Sequence, residues 1–283
     1  MNKNKIFYIS DFFLSDILGG GELNDDELCK TLIEQNVEIV KIKTNRITPL
    51  FLNNTKHFLF IISNFMHLSQ QSKQTFIKNR NYIIYEHDHK YLLTRNPALY
   101  DNFLAPRSHI VNFDFYKNAK KVFCQSQFHK KIILKNIKIE NLFNVSGNLW
   151  SKNCLEKISI LSNNEKKNKC FIMNSQLDHK NARQTVLYCQ KKGYDYDLYS
   201  SKDYYSFLER MSFCDRLVFF PKTPETLSRV VVEARMLGLK TITNKKIGAV
   251  HEPWFKLKGL PLIKLMKDKK IQIQNQILET LNE

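Results

Sequence analysis

Short runs of apolar, β-branched and aromatic residues recur along the chain, each closed by polar residues and followed by a longer amphipathic stretch. That alternation is the pattern of βαβ units built on a parallel sheet. It predicts strands at 5–10, 37–42, 57–62, 81–86, 121–126 and 141–145, with helices over 22–35, 69–79 and 127–136 between them. A polar break from Ser162 to Asn168 reads as an interdomain linker. Beyond it the pattern predicts strands at 169–174, 195–199, 216–221 and 240–243, and helices over 180–192, 203–212, 225–238 and 262–282. The expected architecture is α/β: two tandem doubly wound Rossmann-like domains, 1–160 and 161–283, facing across a cleft. Such sheets bind ligands outside the carboxyl ends of their strands, so the cleft is the expected site.

A length of 283 residues suits two such units, and 43% hydrophobic with 12% aromatic residues excludes a disordered chain. The formal charge of +17 comes from 44 Lys+Arg against 27 Asp+Glu. Only nine of the bases are Arg, which weakens a nucleic-acid reading, because Arg is the side chain that forks onto phosphates and base edges. The excess is spread over both halves, and a diffuse positive field favours phosphorylated small molecules, anionic membrane surfaces and polyanions. Six widely spaced cysteines contain no C-x-x-C pair and read as reduced, buried thiols. The longest apolar run, Phe58–Ile62, falls far short of the ~20 residues of a membrane span. The expectation is a cytoplasmic protein that visits membranes at most peripherally.

The stretch 216–238 reads strand, turn, helix: Pro221 and Pro224 end the strand, and Glu225 to Ser228 open the helix. The free N–H groups of a first helical turn form an anion site. If both are helical, Glu225 and Glu233 are about 12 Å apart along the axis and rotated by ~80°. By spacing alone they are equally a dipole-favoured Glu at a helix start and an ordinary surface Glu. Gly19-Gly20-Gly21-Glu22 follows the first strand and allows close backbone approach to a ligand, or is a plain flexible turn. Glu86-His87-Asp88-His89 closes the fourth strand at the cleft. His87 and His89 lack a third metal ligand at characteristic spacing, so no metal is expected.

Glu225 and Glu233 with seven residues between them, followed by Ala234, Gly238 and the strand 240–243, resemble the E-x7-E signature of the retaining GT-B glycosyltransferases of the "glycosyltransferase group 1" type. The resemblance extends over most of the chain. It implies transfer of a sugar, with retention and without metal or other cofactor, from a nucleotide-sugar to an unidentified acceptor; the basic charge adds an anionic or membrane-associated acceptor as one option, with nucleic acid open but not favoured. Carried onto this chain, it puts Glu225 by the donor sugar and Glu233 at the ribose, with the amides of Thr226 and Leu227 at the diphosphate. Gly20 and Gly21 match the amino-terminal glycine loop, with Glu22 as an acceptor or phosphate contact. Lys180 would neutralise the diphosphate. His87 or His89 would contact the donor sugar, and Arg95 the acceptor or a phosphate. Where the family has glycines around the residue after the first Glu, this chain has Thr226 and Ser228. Where the family often has an Arg five residues before the Lys, it has Ser175; either Arg183, Arg229 or another base substitutes, or the diphosphate is held less tightly and turnover suffers.

Asp195-Tyr196-Asp197 matches a D-x-D metal motif only superficially, since it opens a predicted strand and both acids are expected to face solvent. The rival reading is a catalytically degenerate, basic module on the same scaffold that binds nucleic acid or an anionic membrane surface. Six lysines between Lys256 and Lys270 motivate it.

Overall fold

The computed structural model describes residues 5–282. The first sheet is parallel, with strands β1 (Lys5–Ser10), β2 (Glu38–Lys43), β3 (Leu59–Ile62), β4 (Tyr82–Tyr85), β5 (Val122–Cys124) and β6 (Leu142–Asn144) in the order β2-β1-β3-β4-β5-β6. Helices α1 (Gly20–Ile33), α2 (Pro49–Asn54), α3 (Gln70–Asn79), α4 (Phe113–Lys117) and α5 (Gln127–Asn136) connect its strands. After α6 (Lys152–Leu161) comes a second parallel sheet, β7 (Lys167–Met173), β8 (Tyr196–Tyr199), β9 (Cys214–Phe219) and β10 (Lys240–Thr243), ordered β10-β9-β7-β8. Its helices are α7 (Ala182–Lys191), α8 (Tyr204–Ser212) and α9 (Arg229–Met236), and α10 (Leu260–Asn282) ends the chain.

The inner strands of the first sheet are covered on both faces, which is why they are nearly unbroken apolar runs. Tyr82–Tyr85, for example, is buried at every position. Ser69, Ser126, Ser151 and Asp203 each accept a backbone N–H three residues on, fixing the starts of α3, α5, α6 and α8. All six cysteines are buried and unpaired. No helix among the described residues is long and apolar enough to cross a membrane.

The chain passes from one sheet to the other at 145–151 and again within α10. Trp150 and α6 join the core of the second sheet, with Leu217 and Val231. On α10, Leu262, Ile263 and Met266 belong to that same core, whereas Ile273, Ile277 and Leu281 pack with Ile6, Tyr8 and Leu28 of the first.

The expected helix over 225–238 begins only at Arg229. Glu225 instead forms a parallel bridge to Ile247: its N–H donates to the Lys246 carbonyl and its carbonyl accepts from Gly248 N–H, both at 2.8 Å. Ser228, which precedes the helix, has φ 77°. That left-handed backbone favours glycine, so Ser228 holds it at a cost of about 1 kcal/mol. Glu225 and Glu233 are therefore not related by one helix. Asp197 is also not solvent-facing, because Arg210 Nε holds it at 2.5 Å.

Candidate functional site

The carboxyl ends of both sheets face a cavity of about 590 Å³. From the first sheet it is lined by Gly21, Glu22 and Asp25 of α1, Asn64 after β3, and His87, Asp88, Lys90 and Arg95 after β4. From the second it receives His179 and Lys180 after β7 and Thr223–Thr226 after β9. A second cavity of about 420 Å³ lies beyond the glycine turn, lined by Leu18, Leu23, Lys202, Tyr204, Tyr205 and Arg229 among others. Gly21 and Glu22 line the first cavity and Leu18 and Leu23 the second, so the turn stands between them.

Lys180 and Glu225 meet at the cavity wall, Nζ to Oε1 at 2.7 Å. Opposite them, a hydrogen-bonded chain crosses between the domains. The Thr226 hydroxyl donates to Gln125 Oε1 at 2.6 Å, which orients the amide so that Gln125 Nε2 donates to His87 Nδ1 at 2.6 Å. His87 then carries its proton on Nε2 and donates it to Asp25 Oδ1 at 2.5 Å. The domains are clamped further by Ser126 Oγ on the Thr226 carbonyl at 2.5 Å and by Gln127 N–H on Glu252 at 2.5 Å. Gly248 is required here, because a Cβ at this position would lie 2.1 Å from the Thr226 carbonyl oxygen.

Glu233 is 2% exposed and lies behind this wall. Trp150 Nε1 donates to its Oε1 at 3.0 Å, Tyr204 OH at 2.5 Å, and Arg229 Nε stands 3.3 Å away. Arg229 also stacks on the Trp150 ring at 4.5 Å and donates to the Leu149 carbonyl. Its guanidinium is thus committed to a buried cluster. Arg183 is exposed on α7 and lines neither cavity. Ser228 contributes a buried hydroxyl with no partner at the start of α9, and Leu227 buries its side chain in the second core.

The sequence itself matches no family model and no curated protein. Among solved structures, Anabaena HepE in complex with UDP shares 14% identity over 99% of this chain and 99% of its own, with a TM-score of 0.58. HepE in complex with UDP-glucose gives 14% identity, coverage of 98% and 99%, and a TM-score of 0.56. A glycosyltransferase from Rickettsia africae gives 14% identity, coverage of 99% and 94%, and a TM-score of 0.54. The fold is that of the GT-B glycosyltransferases.

Within this GT-B frame the two histidines after β4 part company. His87 lines the cavity, whereas His89 is buried beneath it, its Nδ1 against Tyr91 OH at 2.8 Å and its ring edge-on to His129. Glu86 lies deeper still, paired with buried Lys90 and bonded by Tyr116 OH. Arg95 reaches the cavity but pairs with Asp88. Burial raises the Glu22 carboxyl above its usual range. Asp25 and Asn64 went unnoticed in the sequence, although Asp25 falls three residues after Glu22, on the same helix face, and Asn64 stands two residues past the end of β3. Asn64 Oδ1 is buried without a partner at the cavity. No cluster of three or more metal-ligating side chains occurs among the described residues.

Burial lowers the imidazole of His89 to about 4 and that of His129 well below its usual value. Below pH ~6.5 the unfolded chain binds protons that the folded chain refuses. Stability is therefore full above that pH and falls as pH drops toward 4, by about 3 kcal/mol for His89 alone. Thermal midpoints measured from pH 7 to 4.5 are expected to fall, and less steeply in His89→Gln. An unchanged slope in that variant would contradict the assignment.

Proposed function

We propose that the chain is a retaining, metal-independent glycosyltransferase that moves a sugar from a nucleotide-sugar to a separate acceptor. The observation that carries this reading is the Lys180–Glu225 pair, which faces His87 and Asp25 across the cavity between two GT-B sheets. In this reading the donor sugar enters that cavity and takes hydroxyl contacts from Glu225 and from the Asp25–His87 couple. The diphosphate takes Lys180, the start of α9 and the unpartnered Ser228 hydroxyl. The nucleoside runs under the glycine turn into the second cavity, where Tyr204 and Tyr205 offer aromatic surface and the remaining oxygen of Glu233 can receive a ribose hydroxyl. Catalysis then comes from alignment of the reactants and from positive charge on the departing diphosphate. The bound UDP and UDP-glucose of HepE make uridine the first nucleotide to test.

A thermal-shift panel of nucleoside diphosphates and nucleotide-sugars, with and without EDTA, tests the reading. A nucleotide at a hundredfold excess over its dissociation constant stabilises the folded state by about 2.7 kcal/mol, equivalent to roughly 5–10 °C. The shift is expected with one nucleotide family and is expected to be indifferent to the chelator. The absence of any shift would favour the degenerate anion-binding module, a reading that the missing base at Ser175 also supports.

A further inference from the structure

The largest cavity described, about 1020 Å³, lies away from the cleft, between α6 and α10. Its walls include Leu155 of α6 and Leu260, Ile263 and Ile271 of α10, and Trp150 also lines it. Leu260 and Ile271 are 60% and 53% exposed, which is costly for large apolar side chains with nothing to cover them. They stand eleven residues apart, about three helical turns, and so share one face of α10. Lys264 and Lys267 lie between them on that face, both exposed and with no acidic partner among the described residues. The other charges at the groove are largely spoken for: Lys270 pairs with Glu27 at 2.5 Å, and Lys152 stands 3.9 Å from Glu156. Glu34 also lines it.

An apolar trough beside two free ammonium groups has the complementarity of an anionic amphiphile. The long lysine stems lie along apolar surface while their heads stay in water, and a lysine near an anionic bilayer is drawn to its surface. We propose that this groove takes the acyl chain of an anionic bilayer phospholipid, with the headgroup phosphate against Lys264 and Lys267, and so docks the protein on anionic membranes. The proposal does not rest on the transferase reading. It places the lipid chain against Trp150, the same residue that holds Glu233 on the cleft side.

The test uses the full chain with vesicles of phosphatidylcholine alone or mixed with phosphatidylglycerol. Cosedimentation is expected only with the mixed vesicles. Lys264→Glu/Lys267→Glu should weaken it by about tenfold or more. Lys191→Glu/Lys192→Glu, an equal charge change on exposed positions of α7 and its end, should cost no more than about threefold. A second measurement reports the groove itself. In Trp254→Phe, Trp150 is the sole tryptophan, and phosphatidylglycerol brominated along its acyl chains should quench it. Leu260→Ser/Ile271→Ser, which keeps the charge, should abolish that quenching. Equal losses in the two lysine pairs, absent quenching, or equal binding to pure phosphatidylcholine would each overturn the proposal.

Discussion

Lys180→Ala is expected to lower the rate of glycosyl transfer by about 10²–10³-fold, the usual cost of removing one preorganised stabilising group from a reacting centre. The ammonium is held by Glu225 at 2.7 Å. Both side chains reach the cavity, and in the proposed reading an arriving donor would divide them, the diphosphate taking the cation and the sugar hydroxyls the carboxylate. The loss should fall mainly on kcat, because negative charge on the diphosphate grows as the bond to the sugar breaks. The pair is partly solvated, so the thermal midpoint should move little. Activity within threefold of the parent, at unchanged donor affinity, would show that the stabilising charge comes from elsewhere.

Glu233→Ala should unfold the protein more readily than Lys180→Ala or Glu225→Ala. The family resemblance implies that this change would chiefly weaken donor binding. The structure sets Glu233 under two donors, Trp150 Nε1 and Tyr204 OH, and 3.3 Å from Nε of Arg229, whose guanidinium is itself buried and stacked on Trp150. Removing the carboxylate strands that charge, at a cost of about 3–5 kcal/mol. For a chain of this size that is a fall in thermal midpoint of roughly 10 °C. Glu233→Gln, which retains the shape and an acceptor oxygen, should lose less. The combined change Glu233→Ala/Arg229→Ala should lose less than the sum of the single changes. A Glu233→Ala protein with an unaltered midpoint but no response to nucleotide would make Glu233 a ligand contact alone.

The strands were legible because parallel sheets demand continuous apolar runs, and that demand depends little on the rest of the fold. Helix α6 was legible in principle, with Ser151 as its cap and Cys154, Leu155, Ile158 and Leu161 on one face, but its short polar neighbours masked it. The start of α9 was not legible. Glu225 is drawn into a bridge with Ile247, more than twenty residues ahead, and only the tertiary fold supplies that partner. The same holds for the choice between His87 and His89. Two residues apart, they would share a face on an extended segment, but the chain bends at 87–88, with Tyr91 and His129 capturing one and Asp25 and Gln125 the other. The place of the cleft, at the carboxyl ends of the strands, was therefore written in local pattern, whereas its wiring was written in contacts between distant segments.

The last helix has a mechanical consequence. A cleft between domains joined by a single strand of chain could open in any direction. Here α10 roots its first turns in one core and its last turns in the other, and the 145–151 crossing provides a second tether. Two tethers define an axle, and the unbroken helix between the cores is the stiff part of it. Opening of the cleft is then confined to a swing about that line, so the facing walls return to the same alignment each time they shut.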